Sequence, residues 1–490
     1  MATIHLDGLR KKGIRFGVLA VFSVMCAGAP LSAALAASSS WSGASAISPI
    51  GQPDSRGGSQ LNDVAVNASG LTLAAWDQYT YTNGGGATIG AAVQSGGRWG
   101  TPFTVSGTTG FSSTPRVAVG ADGTMAVSWN YQDPMTLPAP QQKVQVAVKA
   151  AGATAWTTTT LAQGPVGGVA ITQFVPVAVD VNGNVTAVWS RWDASVSKHI
   201  IESAVMPKGG SWGVPTVLNS TVDGIFPSLS VNANGDAGIA FAVSPYTPTT
   251  DSCGAGLQGT CVLYAFRSGA AGNWGMTRTI TEALPNYVGY VTQPHVALDA
   301  KGLATVVYMA NAFQGVRQIV PITMSNPDGF WTAPAVIIKS PVAGASYMSM
   351  DLAIDANGNA LTALSIFDPT PGVDRASVWV SWADAAGVWM PAERLTDPTV
   401  PVDAYATQVA MSPDGRLAFV GWIDHYHGVA QVSKWTGTVW DKATTIGKYT
   451  AFASFQEVMG LDVADSNRAR AIWKSSAKSG IRIYASSYNQ

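Results

Sequence analysis

The stretch Val177 to Trp189, V-A-V-D-V-N-G-N-V-T-A-V-W, limits what this chain can fold into more than any other. Two short β-type runs, Val177–Val179 and Val185–Trp189, flank a reversal at Asp180-Val181-Asn182-Gly183. Asn-Gly between apolar runs is the strongest short-range hairpin signal, because both residues tolerate the positive φ of tight turns. The pattern recurs along the whole chain. Its turns fall at Gly70, Gly123, Gly183, Gly235, Gly302, Gly358, Gly415 and Asn467, so successive turns lie 52 to 67 residues apart. At the last, Asn467 stands where the others carry Gly, as the next residue most tolerant of a left-handed backbone.

A second signal interleaves with the first. A Trp follows a Gly-bearing turn at Trp99, Trp156, Trp212, Trp274, Trp331, Trp389 and Trp440. Between the two signals lies another apolar run, such as Ile89–Val93, Val144–Val148, Ile200–Val205 or Val378–Trp382. Each repeat therefore reads as four antiparallel strands, and a repeat of that size is a propeller blade rather than a solenoid coil. The last repeat stops after its third strand, Ile481–Ser486. Trp41 to Ile47 matches the missing Trp strand, W-x-x-x-x-x-[IL], at the other end. The expected fold is all-β: an eight-bladed β-propeller of four-stranded antiparallel blades, its ring closed by the N-terminal strand. Seven blades is the alternative if the eighth copy packs elsewhere. The repeated Trp residues read as packing between blades, and the repeated D-x-N-G as turn chemistry rather than a calcium loop.

The first 36 residues read as a secretory signal peptide. Arg10, Lys11, Lys12 and Arg15 precede the apolar run Phe16–Ala29, and Ala34-Leu35-Ala36 is a cleavage signal. The expectation is a protein secreted or periplasmic, with residues 37–490 as one propeller domain and no transmembrane segment. Its remaining Cys253 and Cys261 read as a local disulfide. Without residues 1–36 the chain keeps 24 Lys and Arg against 28 Asp and Glu, about −4 net. No basic stripe is left to neutralise phosphates, which excludes nucleic acid as a partner. No motif calls for a cofactor, and the chain reads as a monomer.

The V-A-V-D-x-x-G-N-x-x-A-V-W unit resembles NHL-type propeller repeats. The G-G-x-W-x-x-P segments Gly96–Pro102 and Gly209–Pro215 look like the tail of the BNR repeats of sialidase-like propellers. The resemblance implies an exported propeller. The sialidase Asp-box, S-x-D-x-G-x-x-W, is intact nowhere; Ser325 to Trp331 comes nearest, with the wrong spacing.

Two groups of residues are candidates for function. In four-strand blades the loops after the second strands and before the first share one face, and they are the long ones here. They carry Asp77, Tyr79, Asp133, Trp192, Asp193, Asp424, His425, Tyr426 and His427. Rings cover apolar sugar faces and carboxylates accept hydroxyl hydrogen bonds, so this rim reads as ligand-binding. Asp424, His425 and His427 would converge on a metal only with a bend in the loop, and no metal is expected.

The second group precedes the inner strands and should face the channel mouth: Asp63, Arg116, Pro176, Ser228, His295, Asp351, Gln408 and Gly460. Asp63, Arg116, His295 and Asp351 are the catalytic candidates among them, a carboxylate and a His sufficing as base and acid on a sugar. The leading expectation is a non-catalytic propeller that binds a glycan or a surface protein through its long-loop face. The alternative is an exported glycoside hydrolase or polysaccharide lyase of sialidase-like type, with its site at the channel mouth. An envelope scaffold without a small ligand is a third.

Overall fold

The apolar runs become strands and the Gly-bearing segments become turns. The computed structural model describes residues 40–490 apart from 50–61, 81–85, 136, 138, 166–173, 244–260, 281–290, 312–316, 324–330, 333–335, 340–344, 371–374, 449–458 and 478–479. The proposed signal peptide therefore lies outside the described residues, as does Cys253. Cys261 is buried just before the strand Val262–Arg267. The described residues are strands, turns and connections, with no helix among them.

Five sheets are four-stranded ladders of consecutive, antiparallel strands. The third repeat shows the plan. Val177–Val179 pairs with Val185–Asp193, that strand with Lys198–Met206, and that one with Thr216–Asn219. A nine-stranded sheet holds two such ladders, joined by a single parallel pair between Ala87 and Phe111. The last sheet takes three strands from the C-terminal end. Its outermost strand, Gly480–Asn489, is paired by Ser40–Trp41 and Ser45–Ala46. The N-terminal match to the missing Trp strand thus falls where the pattern predicts.

The Trp-headed outer strands differ from the expectation. Trp274, Trp389 and Trp440 each make an isolated bridge, and a short strand resumes a few residues on, at Arg278–Thr279, Glu393–Arg394 and Thr444–Lys448. Trp212 precedes its strand Thr216–Asn219 altogether. Pro215 and Pro391 follow Trp212 and Trp389 closely, and proline has no N–H to give to a ladder; no such proline follows Trp274 or Trp440.

Apolar side chains pack between repeats rather than within them. Leu73, Ala75 and Ile89 of the first repeat share a cluster with Val117, Val127 and Trp129 of the second. Val188 and Ile201 of the third meet Ile239 and Phe241 of the fourth. Another cluster joins Ile472, Ile483 and Ala485, at the C-terminal end, to Ile47, Val64, Ala74 and Trp76. Central strands are covered on both faces, which explains why A-V-W runs lack polar alternation. Trp129, Trp189, Trp422 and Trp473 are fully buried here. Each indole N–H finds an acceptor: Gln145, Glu202, Gln431 and the Lys448 carbonyl. A buried Trp needs such a partner for its one polar atom.

At the turn ends glycine is required by conformation, and at Gly183 and Gly415 by space as well. Gly183 has a φ of +85°, and a Cβ there would stand 2.3 Å from Oδ2 of Asp122 in the preceding repeat. Gly415 meets Asp355 in the same way, also at 2.3 Å. The turn aspartates cap their own reversals as well: Asp180 accepts the amides of Asn182 and Asn184, both at 2.9 Å. The eighth turn departs from the expectation. Asp465 pairs directly with Arg468, and Asn467 is not among the positive-φ residues.

Candidate functional site

The first strand of each ladder is an edge strand, so half its amides have no ladder partner. A buried amide without an acceptor is costly. Here the neighbouring repeat supplies the acceptor from a side chain. Asp63 takes the Val117 amide at 2.9 Å, Ser228 the Val296 amide at 3.1 Å and Asp351 the Val409 amide at 3.0 Å. Asp462 takes the Val66 amide at 2.7 Å, linking the last repeat to the first. In each aspartate the other oxygen accepts the next residue's amide: Val64, Leu352 and Val463.

The first strands also carry a β-bulge near their start. Register shifts fall between Ser113 and Arg116, Ile225 and Ser228, Thr292 and His295, and Tyr405 and Gln408. A bulge re-aims the side chains that follow it. These bulges sit at the end of the ladder opposite the Gly turns. Gly224 pairs with Val243 there, and Ala404 with Asp424, so the loops after the second strands share this end.

A cavity of about 400 Å³ opens where these strand starts meet, a size common for small-molecule sites. Of the mouth positions read from the sequence, Asp63, Arg116, Pro176, Ser228, His295, Asp351 and Gln408 line it; Gly460 does not. The four catalytic candidates are thus brought together. Phe174 and Phe226 add ring surface, and Gln293 and Ser349 add polar groups that the sequence reading had not singled out. The Arg116 guanidinium lies 4.0 Å from the centre of the Phe174 ring. His295 Nδ1 lies 3.5 Å from Asp351 Oδ1.

These contacts change what the aspartates can do. Asp63 and Asp351 hold two backbone amides each, so their carboxylates are structural links between repeats before they are anything else. Burial pushes the Asp63 carboxyl up, against the pull of Arg116 and of the two amides; the Asp351 charge adds to the rise. Burial also pushes Asp462 up to about 6, against its two amides and with the Asp63 charge adding to the rise. Asp351 is also placed to orient the His295 ring, whose Nδ1 faces its Oδ1.

The rim candidates are placed differently. Asp77 and Asp424 are buried, and a carboxylate without access cannot meet a sugar. Asp424 accepts the Tyr426 amide and holds His427 Nδ1 at 2.5 Å. Asp133 is tied to Lys143 at 3.1 Å and to the Gln141 amide. Asp193 caps Ser195 and stands 3.4 Å from Arg191. Both shifts are downward: hydrogen bonds from Ser195 lower Asp193, and those from Gln141 and Lys143 lower Asp133 against its desolvation. Trp192 packs edge-on against His199, and His425 against Tyr405. Burial lowers the His425 imidazole, with Asp403 and Asp424 opposing. Tyr426 and His427 are the exposed members of the group. The Tyr79 side chain lies outside the described residues. Among the described residues no group of three or more His, Cys, Asp and Glu side chains could hold a metal ion.

No protein-family model matches the chain, and no curated protein does. Solved structures similar to it include the polysaccharide lyase Uly1, at 10% identity and a TM-score of 0.47, covering 74% of this chain and 88% of that one. The BP39L lectin from Burkholderia pseudomallei is 12% identical with a TM-score of 0.46, covering 81% of this chain and 100% of that one. The Hadza microbial sialidase Hz136 is 12% identical with a TM-score of 0.39, covering 71% and 73%. Likenesses at this level carry no argument about activity.

Proposed function

We propose that this chain is a glycan-binding propeller whose ligand sits in the mouth cavity, on the long-loop face. The observation that carries the reading is the convergence of seven strand-start positions on one cavity that offers ring faces and hydrogen-bonding groups together. Sugars need both, an apolar surface for their C–H faces and polar atoms for their hydroxyls. The fold belongs to the proposal: one domain, residues 37–490, of eight blades in a closed ring. Support comes from the pairing of residues 40–46 with the last strand, the cluster joining the two chain ends and the Asp462–Val66 link. Export, by cleavage after Ala36 to the periplasm or the medium, rests on the N-terminal sequence. The Cys253–Cys261 disulfide belongs with it, and so does a monomeric state.

A glycoside hydrolase or polysaccharide lyase is the second reading. The His295–Asp351 approach beside Arg116 favours it. A glycan array probed with residues 37–490, read both for retained protein and for altered sugars, separates the two. Retention on defined glycans is the expected result. Trimmed sugars without retention would replace the binder with the enzyme, and a blank array would remove the glycan altogether.

A further inference from the structure

The chain meets the demand for positive φ in two ways. At its turns it uses glycine, as at Gly123, Gly183 and Gly302. At the cavity end, four equivalent bulge positions hold Thr114, Phe226, Gln293 and Ala406, with φ of 59, 54, 49 and 55°. Each stands two residues before a mouth residue: Arg116, Ser228, His295 or Gln408. A side chain in this conformation costs free energy that glycine escapes, and for a bulky residue it is a genuine outlier. Pro115, Pro227 and Pro294 follow three of them, and proline steers the residue before it towards extended backbone.

Two of these side chains have a structural reason to be there. Thr114 bonds the Ser113 carbonyl and accepts from Asn130, and Ala406 packs in an apolar cluster with Phe419 and Ile423. Phe226 and Gln293 have none of that kind. Both line the cavity. Among the described residues the Gln293 amide has no hydrogen-bond partner, and the Phe226 ring packs on no other ring. Strained residues retained at a cavity are commonly part of its function.

We infer that Phe226 and Gln293 are ligand-contacting residues, held in place by the left-handed bulges. The inference rests on the glycan reading and deepens it. The Phe226 ring supplies a platform for the C–H face of a sugar ring. The Gln293 amide, donor and acceptor at once, suits a pair of neighbouring hydroxyls. The ligand class that follows is a glycan presenting a flat apolar face flanked by two hydroxyls.

The test is retention of residues 37–490 on a defined glycan array, comparing the unsubstituted chain with Gln293→Ala, Phe226→Ala and Ala406→Gly. The alanine variants keep the backbone demand and remove only the contact. Each should weaken binding, by about fivefold or more for a lost hydrogen bond or ring face. Ala406→Gly loosens one bulge outside the cavity lining, and its binding should stay within about twofold while its melting temperature holds or rises. Undiminished binding by either alanine variant overturns that residue's assignment and leaves the glycan reading intact. An equal loss in Ala406→Gly assigns the effect to bulge stiffness and overturns the inference. No retention of the unsubstituted chain on any glycan overturns both.

Discussion

Gly183, at the turn end of the third repeat, carries a φ of +85°, and Phe226, at the cavity end of the fourth, carries one of +54°. Both reverse or re-aim a strand. Gly183 faces an aspartate of the neighbouring repeat, which leaves no room for a side chain there. The cavity end keeps a full aromatic side chain in the same region of backbone space. The contrast separates a part of the molecule shaped by packing from one shaped by what it presents. The aspartates divide along the same line. At the turns they cap their own backbone, whereas Asp63, Asp351 and Asp462 reach across to the next repeat.

The sharpest break in that comparison is Gly183→Ala. The left-handed backbone and the 2.3 Å approach of Asp122 act together. We expect a loss of about 2–4 kcal/mol in urea unfolding. A near-neutral result would mean the turn end is not tightly packed. Next is Asp351→Ala, which frees the Leu352 and Val409 amides. The expected cost is roughly 1.5–3 kcal/mol, as for hydrogen bonds to a charged acceptor. An unchanged stability would reassign Asp351 from link to ligand group.

A smaller effect concerns pH. The Asp462 carboxyl is raised in the folded chain from 3.8 to about 6. The folded state therefore binds its proton more tightly than the unfolded one. The stability this group contributes is fully present below about pH 3.8 and is lost as pH rises through about 6. Melting temperature followed across that window should fall less in Asp462→Asn than in the unsubstituted chain. The smallest effect is Ala406→Gly, which removes a left-handed penalty of about 1–2 kcal/mol against an entropic cost of glycine of about 0.5–1 kcal/mol, and should raise stability by about 1 kcal/mol or less. If it instead destabilises, packing of the Ala406 methyl outweighs backbone strain.

The turn end was legible in the sequence because its chemistry is local. Asn-Gly and Asp-x-Gly state their φ demand in four residues, and Trp residues mark the outer strands. The strand starts were legible by counting back from each turn, which put Asp63, Arg116, His295 and Asp351 at one mouth. The bulges were not, because Phe226-Pro227 and Gln293-Pro294 carry no glycine and read as extended. Nor were the links between repeats, since an aspartate's partner lies 54 to 396 residues away. Two rim aspartates have local roles that the sequence pattern does not show. Asp424 and Asp193 look like ligand groups in isolation, yet each caps amides two residues on, a local habit of aspartate in loops.

The most direct test of the cavity as the ligand site sets Arg116→Ala beside Tyr426→Ala on the same glycan array. Arg116 lies in the cavity against Phe174, and Tyr426 is an exposed ring of the rim. The account predicts that binding is lost in Arg116→Ala and kept in Tyr426→Ala, read at a temperature where both variants are folded. Binding kept in Arg116→Ala and lost in Tyr426→Ala would contradict it and return the site to the rim.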